Sequence, residues 1–127
     1  MSREIKFRVW DKTIAEYQYI TLSDLGEDDY YWFDGETSIW FVLYDSTHEQ
    51  ERFMIEQYTG LKGKNGVEIY EGDIVEFEDI VGEVQFLPQQ NGYAVITHNS
   101  DYRLVGWKYG VIGNIHENKE MLKWLKI

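Results

Sequence analysis

Gly60, Gly63 and Gly66 surround Lys62 and Lys64, and glycine spaced around lysine is the raw material of a phosphate-binding loop. That loop needs Gly-Lys followed by Ser or Thr, so that an ammonium reaches phosphate and a hydroxyl reaches magnesium. Here Asn65 follows Gly63-Lys64, Val67 follows Gly66, and no parallel βαβ pattern surrounds them. The glycines read instead as turn residues, which tolerate positive φ. Asp28-Asp29 suggests paired carboxylates, but a calcium loop wants Asp-x-Asp-x-Asp-Gly closed by Glu, and Glu27-Asp28-Asp29-Tyr30 lacks that spacing. His48, His98 and His116 are scattered and none has a zinc-type i, i+4 partner. Ser, His and Asp all occur, without a Gly-x-Ser-x-Gly elbow to join them. No catalytic, cofactor-binding or metal-binding motif results; Asp73 with a histidine is all an enzymatic reading would have.

What remains is chemistry of contact. Lys62 and Lys64 lie near Tyr58 and Tyr70, a mixture of cation and aromatic ring suited to a partner surface. Trp10 is a further candidate, because it falls on the polar side of an alternating segment. These five residues, Trp10, Tyr58, Lys62, Lys64 and Tyr70, are the expected partner-binding set.

The elements that must position them are mostly strands. Ile5 to Trp10 alternates, with Ile5, Phe7 and Val9 on one face and Lys6, Arg8 and Trp10 on the other. Asp11-Lys12-Thr13 is a turn and Glu16 to Ile20 the return strand. Ser38 to Tyr44 is a continuous apolar run of strand length. Phe53 to Tyr58 reads as a strand, with a short helix over Thr47 to Met54 as the competitor. Asn65-Gly66 predicts a two-residue type I′ hairpin, with Leu61–Lys64 descending and Val67–Tyr70 returning. Glu71-Gly72 is the next turn, and Asp73 to Phe77 leaves it as a strand. Gly82–Phe86, Gly92–Thr97, Tyr102–Val105 and Gly110–Ile115 follow at about ten-residue spacing. Asn118 is placed to cap a closing helix, in which Met121, Leu122 and Leu125 share a face beside Trp124.

The pattern predicts a mainly β fold: a small SH3-like or bent-sheet barrel of short antiparallel strands with one short C-terminal helix. It predicts a single domain over 1–127, comprising an N-terminal hairpin and acidic aromatic segment (1–56), a central hairpin and β meander (57–115) and the helix (118–126).

Three segments resemble the YopX family of phage and prophage proteins. They are Arg3 to Lys12, Gln57 to Val75 and Val111 to Asn118, in the family's order. Gly63 stands where the family commonly has Asp, and Val67 where it commonly has a charged residue; neither change disturbs the turn chemistry. The resemblance implies a mostly β fold and a phage origin. It implies no established activity, and so no functional residues.

Composition narrows the classes. The chain has no cysteine, which removes disulfides, thiolate metal sites and cysteine nucleophiles together. No apolar run follows the N-terminal charges, and none approaches the ~20 residues of a spanning helix. The expected location is the host cytoplasm, with no membrane partner. Net charge is −11, which opposes binding to nucleic acid. Ten acids fall between Asp24 and Glu56 against Arg52 alone, interleaved with aromatics. The leading expectation is therefore a non-enzymatic phage or prophage accessory protein that binds another protein, a second copy included. The alternatives are a nucleic-acid-binding small barrel, and an acidic mimic of DNA that occupies a host DNA-binding protein.

Overall fold

The structure is a computed structural model and describes residues 4–25 and 35–122. Glu27, Asp28, Asp29 and Asp34, the aromatics from Tyr30 to Phe33, and the end of the expected C-terminal helix lie outside the described residues. The chain divides into two compact units, Met1–Gln57 and Tyr58–Ile127. Its strands form antiparallel sheets, so the protein is mainly β.

In the first unit, β1 (Lys6–Asp11) pairs with β2 (Glu16–Thr21) on one side. On the other it pairs with the first half of β3 (Phe53–Lys62). A helical turn, α1 (Leu22–Leu25), follows β2, and Thr21 N–H donates to Asp24 Oδ2 at its start. The core is Val9, Ile20, Ile39, Val42 and Phe53, with Ile55 against it.

The apolar run at Ser38 forms a helix, α2 (Ile39–Thr47), where a strand was expected. Ser38 starts it: its Oγ accepts Phe41 N–H at 3.2 Å, which satisfies one of the orphan donors of the first turn. Ile39, Val42 and Ser46 are buried at i, i+3 and i+7, a helical period. Trp40, Phe41 and Tyr44 occupy the outer face and are also aromatic. With both faces apolar, the period is invisible in a hydropathy pattern. The helix end then anchors β3. Asp45 Oδ2 accepts from the N–H groups of Arg52 (3.0 Å) and Phe53 (2.6 Å), and Ser46 Oγ from that of Ile55 (2.8 Å).

The polar face of β1 is buried too, contrary to the expected inside-out alternation. Arg8 and Glu56 are opposite each other in the β1–β3 register and are both 5% exposed. Arg8 Nε donates to Glu56 Oε1 at 2.8 Å, and Tyr17 O–H donates to the same oxygen at 2.9 Å. The Arg8 guanidinium also lies 4.3 Å from the Tyr17 ring centroid. A second pair closes the sheet end: Arg52 binds fully buried Asp11 through both carboxylate oxygens, at 3.1 and 3.0 Å. Burying charge is tolerable only with such pairing.

In the second unit, the rest of β3 pairs with β4 (Glu68–Tyr70). A meander follows: β5 (Asp73–Phe77), β6 (Ile80–Leu87), β7 (Gly92–Ile96) and β8 (Asp101–Arg103). β9 (Gly110–Asn114) returns to the free side of β5, which gives the order β8-β7-β6-β5-β9. Ile69, Val75, Val84, Val95, Leu104 and Tyr109 make the core. The turn at Glu71-Gly72 forms as expected, with Gly72 at φ +84° and Tyr70 N–H donating to buried Asp73 Oδ2 at 2.8 Å. The sheet is an open one, with β8 and β9 as its edges.

Asn118 does not cap a helix through its side chain. A single 3-10 turn, Lys119–Met121, follows it. Its Oδ1 instead accepts Asn114 N–H at 3.1 Å, turning back toward the end of β9.

Candidate interaction surfaces

Of the five residues expected to meet a partner, three are inside. Trp10 is 7% exposed, Tyr58 4% and Tyr70 3%. Trp10 packs edge-on against Tyr17, its β2 neighbour, with centroids 5.0 Å apart. Tyr58 and Tyr70 are cross-strand partners with rings 5.4 Å apart, so their aromatic area holds the hairpin together. Lys62 and Lys64 are exposed.

The two lysines belong to a built feature. Asn65 (φ +64°) and Gly66 (φ +76°) both adopt the left-handed backbone that the Asn-Gly pair predicts. The loop is longer than a two-residue turn, because Gly63 N–H donates to Val67 O at 2.7 Å and leaves Lys64, Asn65 and Gly66 between them. Its tip is docked on the 3-10 turn Gly106–Lys108 and on Tyr109. Lys64 N–H donates to Tyr109 O at 2.8 Å. Two glycines make the approach. A Cβ on Gly63 would stand 2.4 Å from Tyr109 O, and one on Gly106 2.5 Å from Lys62 O.

This docking carries two residues to the hairpin that sequence reasoning missed, Trp107 and Lys108. Trp107 is 72% exposed. Lys108 Nζ lies 5.2 Å from the Phe77 ring centroid and 5.9 Å from that of Trp107, and Lys64 Nζ lies 6.0 Å from Phe77. None of Lys62, Lys64 and Lys108 forms an ion pair among the described residues. The available signal was local: Gly106-Trp-Lys-Tyr-Gly110, an indole and an amine between two glycines. Beneath it, burial first and then the Tyr102 phenolate push the Tyr109 phenol above its usual value of 10.0.

The first unit has a different surface. On α2, Trp40 is 65% exposed, Phe41 51% and Tyr44 54%. Tyr44 stacks on His48 at 4.0 Å, and Phe41 meets Phe53 edge-on at 6.4 Å. Both contacts hold the rings in place while leaving area open. Glu36, Glu49 and Glu51 are exposed in the flanking segments. The acidic run is otherwise divided: Asp45 and Glu56 are buried and engaged within the fold.

The remaining chemical candidates are not assembled. His98 lines an open cavity of about 400 Å³ with Asp79, Thr97, Asn99 and Tyr102. His48 is stacked on α2, and His116 donates its backbone N–H to Asn114 Oδ1. Among the described residues no group of three His, Asp or Glu side chains is arranged to hold a metal, and no helix is long and apolar enough to cross a membrane. Asp73 is spent on the Tyr70 N–H.

Fold and surface thus define a mainly β protein whose distinctive features are exposed aromatic and cationic side chains on ordered elements. The YopX protein family model matches residues 6–123, and the chain belongs to that family. No curated protein matches the chain significantly. Among solved structures, the crystal structure of protein EF1440 from Enterococcus faecalis is similar, at 22% identity and a TM-score of 0.45, over 95% of this chain and 99% of that one.

Proposed function

We propose that this is a non-enzymatic phage or prophage accessory protein that acts by binding another protein. The observation that carries the reading is the outer face of α2, where Trp40, Phe41 and Tyr44 stand together in solvent. Exposed aromatic clusters mark interaction sites more often than scattered apolar residues do. Trp and Tyr contribute large contact area at low cost in side-chain entropy. Acids beside the rings favour a partner with basic groups at the rim, which raises association rate more than affinity.

A bent sheet of the SH3-like kind is supported by the short meander and by the register shift between Ile74 and Val75 in the β5–β9 pairing, since bulges increase bend and twist. Such a sheet is a scaffold for many functions and does not choose among them.

The test is affinity capture from infected host cells with wild type and with Trp40→Ser/Tyr44→Ser. The expected result is a near-stoichiometric protein held by wild type and lost with the double variant. Equal recovery by both would place the contact elsewhere. No captured protein under crosslinking would remove the reading.

A further inference from the structure

We infer that the lysine-flanked indole at the central hairpin is a binding site for single-stranded nucleic acid. The chain's negative charge is unevenly placed. Residues 1–57 hold thirteen acids and five bases, whereas 58–127 hold ten and seven. Within the second unit Lys64 and Lys108 direct their ammonium groups over one ring, Phe77. Lys62 is exposed on the same hairpin, with its backbone carbonyl against Gly106. Like charges gathered without ion-pair partners among the described residues repel one another, and an anion relieves that repulsion. Beside them Trp107 presents a largely open indole, held by a turn that is itself hydrogen-bonded: Lys108 N–H donates to Val105 O and Tyr109 N–H to Gly106 O.

The two features call for one ligand carrying both an anion and a flat apolar face. Single-stranded nucleic acid has a phosphate per nucleotide and a base free to stack on an aromatic side chain. Duplex DNA keeps its base faces inside the stack and offers phosphate alone, for which three lysines are a small footprint. An acidic peptide without aromatic residues, such as poly-glutamate, offers carboxylates but no ring to the indole. Glu68 opposes Lys62 in the β3–β4 register, and Glu78 and Asp79 follow Phe77, so the site is short and its affinity modest.

The test is fluorescence anisotropy of the full chain with a labelled oligo-thymidylate, at ~50 and ~150 mM salt. A duplex of equal length and poly-glutamate serve as competitors. The expected result is saturable binding with a salt slope of about −2, as three phosphates at roughly −0.7 each require. Trp107→Ala should weaken binding about tenfold, from the lost stacking of a base. Lys64→Glu should weaken it and flatten the salt slope. Both side chains are exposed, and unchanged urea melts would show that the variants fold. Lys62→Glu is the alternative charge variant if Lys64→Glu melts early. No binding at ~50 mM salt would overturn the inference. So would undiminished binding by Trp107→Ala, or competition by duplex or poly-glutamate equal to that by single strand.

Discussion

Replacing Gly63 by Ala should dislodge the hairpin loop from the 106–109 segment. Gly63 has φ −83° and ψ −163°, an extended conformation open to any residue, so the substitution carries no dihedral penalty. The obstacle is steric. The new Cβ would stand 2.4 Å from Tyr109 O and 3.3 Å from Ile69 Cδ1. The first neighbour is backbone and the second is fully buried, so neither yields easily. Overpacking of this kind costs about 1–3 kcal/mol. Lifting the loop off Tyr109 also breaks the hydrogen bond from Lys64 N–H to Tyr109 O, worth about 1 kcal/mol. The loss of unfolded-state freedom returns about 0.4–1 kcal/mol. The net expectation is a loss of about 1–3.5 kcal/mol, read as a lower urea midpoint at constant slope. Gly66→Ala is the control. It meets no atom within 4 Å but sits at φ +76°, so its cost is conformational, about 1 kcal/mol. A Gly63→Ala loss no larger than that of Gly66→Ala would refute the docking of the loop on Tyr109.

Three further outcomes are expected. Glu56→Ala leaves the Arg8 guanidinium buried without its carboxylate and the Tyr17 hydroxyl without its acceptor; breaking such a pair costs about 3–5 kcal/mol, measured by denaturant melts. Ser38→Ala removes the side-chain cap of α2 and should cost about 1 kcal/mol in the same assay, with reduced helical signal if the first turn frays. The raised phenol of Tyr109 gives alkaline sensitivity. Between pH 10.0 and its higher folded value the native state holds a proton that the unfolded state has released, so stability is complete below pH 10 and falls as pH rises beyond it. Tyr109→Phe should flatten that fall in melts taken at successive pH values.

Local rules predicted much of the β framework. The strand after Ile5 and the positive-φ turns at Glu71-Gly72 and Asn65-Gly66 come from short-range sterics and hydropathy, and they appear in the fold, although β1 does not alternate in burial and the Asn65-Gly66 loop has three residues where two were expected. The failures involve long range or lost contrast. Trp10 looks exposed because Arg8 beside it is charged. That charge is neutralised by Glu56, forty-eight residues away, so the whole face can be buried. Ser38 to Tyr44 has no readable period because the outer residues of α2 are as apolar as the inner ones. Trp107 and Lys108 sit in a 3-10 turn with no periodicity, and only the folded hairpin brings them to Lys64. Tyr58 and Tyr70 look available in sequence, yet the observed register makes them cross-strand partners, and that pairing is what hides them.

A partner proposed to sit on the outer face of α2 must come within reach of Trp40, and site-specific photo-crosslinking reads that contact. A benzophenone side chain placed at Trp40, 65% exposed, is compared with one at Phe86, 42% exposed, in infected host cells. A discrete crosslinked protein is expected from position 40 and none from position 86. Equal labelling from both positions, or none from 40, would rule out a partner on α2.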